Sequence, residues 1–331
     1  MQAVHRYQIA AYIDSHETIP FEELSKRSGL NLVDLRRILR LVMTRRVFCE
    51  PRPDHVAHTA ASWLLVEDSR VRDLSGIICD ERFPASARVV DALMMYGQPQ
   101  SPAESGFSLA NQTKRGLYEE LKHFPARQAR WTLAMSAMAQ KIDFDYILEN
   151  FPLRSNETAT VVDVGGGNGT ISLGLARRLP NATFLVQDAP DVIHDAKVPE
   201  DLQSRIMYQA YNFFQPQPVS GARVYYFRNV FHNWPDDTCV QILKNHVGIM
   251  EGHTILVIDD FALHEPLTVS PYEERRRRNM DITMLTYFGS RERTIREWGK
   301  LLAMADVRFR LQGVAQHGKQ PNTILEVGWS V

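Results

Sequence analysis

The run Val161-Val162-Asp163-Val164 leading into Gly165-Gly166-Gly167-Asn168-Gly169 limits what this chain can fold into more than any other stretch of it. The β-branched residues read as a buried parallel strand, and the glycines after them as a tight turn into a helix. Glycine suits that turn because a side chain would block the backbone from approaching a ligand at the helix N-terminus. A second apolar strand, Phe184-Leu185-Val186-Gln187, ends in Asp188. That acid falls roughly 20 residues past the glycines, where a second-strand carboxylate grips the two hydroxyls of a ribose.

The glycine spacing narrows the ligand. Gly165, Gly167 and Gly169 spell G-x-G-x-G, whereas a dinucleotide pyrophosphate requires G-x-G-x-x-G, and no Lys-Ser or Lys-Thr follows to complete a phosphate loop. A ligand with a ribose and no phosphates suits the spacing, and S-adenosylmethionine is the common one. A structural glycine turn in some other doubly wound sheet is the alternative.

From residue 158 onward, strand and helix patterns alternate. Strands are expected at Thr160 to Val164, Thr183 to Gln187, Ile206 to Ala210, Ala222 to Arg228, Thr254 to Asp259 and Ile324 to Val327. Helices fall between them at Thr170 to Leu179, Cys239 to Met250, Arg278 to Thr286 and Ile295 to Ala305. The alternation predicts an α/β fold with a parallel sheet covered on both faces and a ligand at the C-terminal strand edge. Before residue 145 helical periodicity dominates, as in the stripe Leu32, Leu35, Ile38, Leu39 and Val42. Val47 to Glu50 and His55 to Thr59 read as a small hairpin wing. Leu148 to Asn156 is a turn-rich link carrying Pro152. The expected division is therefore a helical, winged-helix-like domain over 1–150 and a ligand-binding catalytic domain over 151–331.

Helix, turn, helix and wing also describe a DNA-binding module. A formal net charge of -1 argues against nucleic acid or an anionic membrane as partner. The run Arg275 to Arg278 follows Glu273-Glu274 and reads as an exposed helix start of mixed charge. With 331 residues, 44% of them apolar, the chain can bury one large core and a smaller one. Its three cysteines, Cys49, Cys79 and Cys239, lack metal or redox spacing; no metal is expected, and a reducing cytoplasm is. The N-terminus has no signal-peptide core, and no apolar run reaches ~18 residues.

Four blocks then occur in one order: Asp163 to Gly169, Asn212-Phe213-Phe214, Phe227 to Asp237, and Glu292-Arg293-Thr294 with Glu297-Trp298. Together they resemble the plant-and-fungal-type small-molecule O-methyltransferases, the family of caffeate and flavonoid O-methyltransferases, over Met1 to Val331. The resemblance implies a doubly wound Rossmann-like methyltransferase sheet with a mostly helical, winged-helix-like N-terminal dimerisation domain, and hence a homodimer. The family carries further N-terminal helix ahead of the point where this chain begins, so a shortened start is expected. It also implies S-adenosylmethionine bound by Asp163, Gly165, Gly167 and Asp188. Asn212 and Phe213 would surround the adenine and Arg228 would stand beside the ligand. Asn212 replaces the family's usual Asp, and an amide oxygen accepts a hydrogen bond without the help of a charge. Helices roofing the pocket make Phe107, Trp131 and Met135 lining candidates, although such stripes are more often core. Met280, Met284 and Phe288 suggest a flat or bulky apolar small molecule as acceptor.

Methyl transfer from a sulfonium to a phenol or enol is a direct displacement, so the hydroxyl must lose its proton. His232, at the end of a strand by the ligand edge and within the third block, is the candidate base; an imidazole titrating at about 6.5 suits neutral pH. An acid must hold its tautomer. The resemblance points to Asp259 for that role and to Glu292 as the second acid. Asp260 is the neighbour, and strand alternation lets only one of the pair face the site. A non-methylating reading stays open: some fungal relatives use the sulfonium as a fixed positive charge in dehydration and pericyclic reactions. Asn212, and Tyr211 where glycine is usual, keep it so.

Overall fold

Short local signals set the first elements. The helix Phe21–Ser28 starts after Pro20 and stops at Gly29, whose φ of +73° a glycine adopts without strain. The next, Leu32–Met43, is capped by Asn31, whose side chain accepts from the Val33 N–H at 2.9 Å. It buries Leu35, Leu39 and Val42. An antiparallel sheet of β1 (Ile19–Pro20), β2 (Cys49–Arg52) and β3 (His55–Ala57), in the order β1-β3-β2, packs as the wing. Arg40 binds Glu50 through two hydrogen bonds of 2.9 and 2.8 Å, and Arg36 pairs with Asp54 at 3.2 Å, so these helix arginines are balanced by acids of the wing.

The computed structural model describes residues 1–139, 142–316 and 322–330. By internal contacts the chain forms two units: Met1–Arg88 with Leu117–Lys141, and Val89–Gly116 with Ile142–Val331. This differs from a single cut at residue 150. The segment 89–116 belongs with the sheet because Phe107, fully buried, packs edge-on against Tyr287, ring centroids 6.4 Å apart. In the first unit the Pro125–Ala139 helix holds a buried acid: Arg127 grips Glu81 with contacts of 2.9 and 2.5 Å, and Arg130 adds one at 3.2 Å. An unpaired acid buried there would be strongly destabilising.

The second unit is built on eight strands: β4 (Ala159–Val164), β5 (Ala182–Asp188), β6 (Ile206–Ala210), β7 (Val224–Arg228), β8 (Ile255–Leu263), β9 (Arg293–Thr294), β10 (Phe309–Gln316) and β11 (Asn322–Trp329). Their order is β10-β11-β8-β7-β4-β5-β6, with β9 beside the end of β8. Strands β4 to β8 pair in parallel, while β11 runs antiparallel to β8 and β10 antiparallel to β11. Alternate residues feed two cores. Val162, Val164, Phe227 and Ile258 pack with Trp298 and Leu301, whereas Val161, Val186, Tyr226 and Val257 pack with Ile171 and Leu175. Burial on both faces explains the continuous apolar strands.

The expected doubly wound sheet is thus extended at one edge by two antiparallel strands, β11 and β10. β10 escaped the sequence reading because Phe309 alone in it is buried, while every second residue, Arg310, Gln312, Val314 and Gln316, is exposed. An edge strand of that kind carries too few apolar residues to stand out. The helix Ile295–Ala305 falls where expected, fixed by a capping box in which Thr294 and Glu297 exchange hydrogen bonds. The helix expected from Arg278 begins earlier, at Pro271, and runs to Phe288.

Candidate active site

Three glycines turn the chain out of β4. Gly165, Gly167 and Gly169 hold φ of +74°, +60° and +78°, left-handed values that L side chains resist. A β-carbon would lie 2.8 Å from Val230 Cγ2 at Gly165 and 2.5 Å from the Tyr208 hydroxyl at Gly169. At Gly167 nothing lies within 4 Å, so this residue presents bare backbone to open space. Its N–H donates to Asp188 Oδ2 at 2.8 Å, and the Ala189 N–H donates to Oδ1 at 2.7 Å. The acid ending β5 is thus fixed beside the turn, within reach of a ribose on the open side. Asp163 is buried beneath the turn, accepting from the Ser172 hydroxyl at 2.6 Å. Burial outweighs that bond and pushes its carboxyl up to about 7.

After β6 the chain places Asn212 and Phe213. Asn212 Oδ1 accepts from the Phe214 N–H at 3.1 Å, which leaves that oxygen one further lone pair. Phe213 stands edge-to-face with Phe214 and Trp234, centroids 4.8 and 5.8 Å apart. Asn245 Nδ2 fixes its backbone by donating to the Phe213 carbonyl at 3.0 Å. An open glycine turn, a fixed acid and a braced aromatic ring fit an adenosyl group without phosphates.

His232 lies in a short helical turn, Phe231–Asn233, just past β7. Its Nδ1 is 3.0 Å from Glu292 Oε1 and 3.5 Å from Asp260 Oδ1, and its backbone N–H donates to Asp260 Oδ2 at 3.1 Å. Burial by itself depresses this imidazole, but the charges of Asp260 and Glu292 outweigh it and raise the ring to about 9. Burial likewise lifts Asp260, to about 6, against the pull of His232. Among the described residues these three are the one group of histidine and acids close enough to hold a cation, their donor atoms within 4.8 Å of one another.

Asp259 does not face His232, which corrects the expectation that it orients the imidazole. Arg228 and Tyr226 both bind its Oδ2, and Asn322 Nδ2 donates to its Oδ1 at 2.9 Å. The physical reason is the pleat of β8: consecutive side chains leave on opposite faces, and Asp260 takes the face toward His232. Arg228 is thus tied to a buried acid at the end of β7.

The acceptor candidates separate. Met280, Met284 and Phe288 lie on one face of the Pro271–Phe288 helix, with Met284 and Phe288 buried. Phe107 is fully buried against Tyr287 of that helix. Trp131 and Met135 belong to the first unit, Trp131 edge-on to Tyr118 at 6.3 Å. Asn322 and Tyr226 had not been singled out by sequence, and Trp234 had stood only inside the Phe227 to Asp237 block. Arg293 had stood only inside a matching block, and its buried guanidinium donates to the Trp234 carbonyl at 2.9 Å and pairs with Asp236 at 2.7 Å, bracing the loop behind His232.

Residues 99–308 match the family described as O-methyltransferase domain. O-methyltransferase kk1A of Curvularia clavata is 34% identical, over 99% of this chain and 78% of its own length. The grayanic acid biosynthesis cluster O-methyltransferase of Cladonia grayi is 37% identical, over 94% of this chain and 66% of its own. Among solved structures, OxaC in complex with sinefungin and meleagrin has a TM-score of 0.84 at 24% identity, covering 99% of this chain and 84% of that one. A pericyclic reaction enzyme has a TM-score of 0.77 at 24% identity, covering 99% and 86%. The sheet order, the glycine turn and the acid fixed beside it thus define a doubly wound methyltransferase fold. The chain belongs to the O-methyltransferase family, and its methyl donor is S-adenosylmethionine.

Proposed function

We propose that this enzyme methylates a hydroxyl, a phenol or enol, of a small aromatic or polyketide-type natural product, with His232 as the general base. The observation that carries the reading is the buried contact of one imidazole with two acids, Glu292 at 3.0 Å and Asp260 at 3.5 Å. A free imidazole titrates at about 6.5 and a phenol at about 10, so proton transfer between them is uphill by about 3.5 units. With the ring raised to about 9, most of that gap closes. The imidazolium that forms is held by both carboxylates, the arrangement a base needs as it gains its proton. Nε2 has no hydrogen-bond partner among the described residues and is the nitrogen available to the acceptor.

When bound, S-adenosylmethionine supplies an electrophilic methyl on a sulfonium. Asp188 would hold its ribose, Gly165 and Gly167 its close approach, and Phe213 with Asn212 the adenine. Asp163 would support the turn from below, and Arg228 would stand at the strand edge. Met280, Met284 and Phe288 would line the acceptor, a reading supported by their sharing one face of the Pro271–Phe288 helix, against whose Tyr287 Phe107 packs. Trp131 and Met135 stand as acceptor candidates on the resemblance alone. The grayanic acid cluster relative favours a natural-product acceptor.

We also propose a homodimer, supported by the large apolar side chains that the first unit leaves exposed, among them Val33, Leu41 and Leu64. Light scattering at micromolar concentration tests it, and a monomer would reject it. Among the described residues no helix is long and apolar enough to cross a membrane, and the cysteines are free; both favour a cytoplasmic enzyme.

The test of the main reading is His232→Gln. Release of S-adenosylhomocysteine with phenolic acceptors should fall by ~10²–10⁴ while donor affinity by calorimetry stays nearly unchanged. Wild-type enzyme that converts its substrate without releasing S-adenosylhomocysteine would replace this reading with the non-methylating one.

A further inference from the structure

Two neighbouring acids of β8 hold the two ends of the turn that carries His232. Asp260 accepts from the His232 N–H at 3.1 Å. At the other end, the Asp259 carbonyl accepts from the Asn229 N–H at 3.1 Å. Asn322, buried at the start of β11, completes this end. Its Nδ2 lies 2.9 Å from Asn229 Oδ1, 2.9 Å from Asp259 Oδ1 and 3.0 Å from the Asp259 carbonyl. Three acceptors therefore share the two hydrogens of one amide.

The clasp has a conformation to hold. Asn229 sits at φ +51°, in the left-handed region that a non-glycine residue keeps only where its surroundings impose it. Asn233 Nδ2 then donates back to the Asn229 carbonyl at 3.0 Å, closing the turn around His232. Among the described residues no hydrogen bond joins Asn322 to the imidazole. Its carboxamide acts where the chain leaves β7, three residues before the base.

We infer that Asn322 is a positioning residue, whose amide fixes the left-handed Asn229 and so places His232 between Asp260 and Glu292. This rests on His232 being the base of the proposed reaction, but it can be read without any turnover. The imidazole of His232, followed by NMR titration, reports directly whether the ring still sits between its two acids, whose pull the charge of Arg293 opposes. In Asn322→Ala that titration should move down from the wild-type value toward an ordinary imidazole. Turnover at saturating substrates should fall on the order of 10- to 100-fold, the usual consequence of a base displaced by about an ångström. Affinity for S-adenosylhomocysteine by calorimetry should stay within about twofold, since the glycine turn and Asp188 lie outside the clasp.

Leu325→Ala, a core truncation on the same strand, serves as the matched control for lost stability. It should lower the melting temperature while leaving the His232 titration in place. If Asn322→Ala shows the control's behaviour, with unmoved titration and unchanged turnover, the inference is overturned. Should Asn322→Ala not fold, Asn322→Ser keeps one donor and should show the same shift at smaller size; an unshifted titration there overturns it equally. A wild-type enzyme that releases no S-adenosylhomocysteine would reject the proposed reaction and leave the titration test intact.

Discussion

His232 Nδ1 lies 3.0 Å from Glu292 Oε1, a buried pair joining the end of one strand to a loop sixty residues further on. Asp260 adds a second negative charge on the same side of the ring, so its proton is held far more tightly than an exposed histidine would hold one.

As the proposed base, His232 should set the pH profile. With the ring raised to about 9, kcat/KM should climb through neutral pH, pass its half-maximum near pH 9 and level off only above it. Glu292→Gln should bring the rising limb back toward about 6.5. The sign for stability follows from the same shift. The ring binds its proton more tightly folded than unfolded, so its contribution is complete below about 6.5 and is lost as pH rises through about 9. Urea denaturation at pH 6.5, 8 and 9.5 should show that loss; stability rising across this range would contradict it.

Asp259 and Asp260 should separate cleanly by mutation. Asp260→Asn removes a charge beside His232 and should move the pH profile to lower pH. Asp259→Asn leaves Arg228 with a neutral partner, so it should cost about 3 kcal/mol of stability without moving the profile. If the two variants shifted the profile alike, the assignment of faces on β8 would be wrong.

Donor binding should depend on Asp188. Two N–H groups aim its carboxylate, and Asp188→Ala would remove the bidentate charged contact to the ribose that is proposed for it. Affinity should weaken by ~10- to 100-fold, as charged hydrogen bonds are worth. Calorimetry that finds unchanged affinity would remove Asp188 from the site.

Gly169 and Tyr208 should be coupled. Gly169→Ala places a β-carbon 2.5 Å from the Tyr208 hydroxyl at a φ of +78°, and should destabilise by about 1–3 kcal/mol. Tyr208→Phe takes away the clashing oxygen together with its 2.8 Å bond to the Asn168 carbonyl. The double variant should therefore be more stable than the sum of the two single changes allows. Additive melting temperatures would show that the turn moves aside instead.

The turn at Gly165 to Gly169, the acid at Asp188 and the capped helix Ile295–Ala305 were legible in the sequence because each is decided within a few residues. A left-handed φ asks for glycine, a strand end for its acid, and a capping box for Thr294 and Glu297. Which acid faces His232 was not legible. β8 is buried on both faces, so its apolar run has no alternation from which to read whether Asp259 or Asp260 points at the base. Only the pairing of β8 with β7 and β11 settled it, by handing Asp259 to Arg228, Tyr226 and Asn322. The part played by Asn322 belongs to tertiary structure entirely. It reaches Asn229 across 93 residues of sequence, and no local pattern encodes a contact that exists only once an antiparallel strand closes against the sheet.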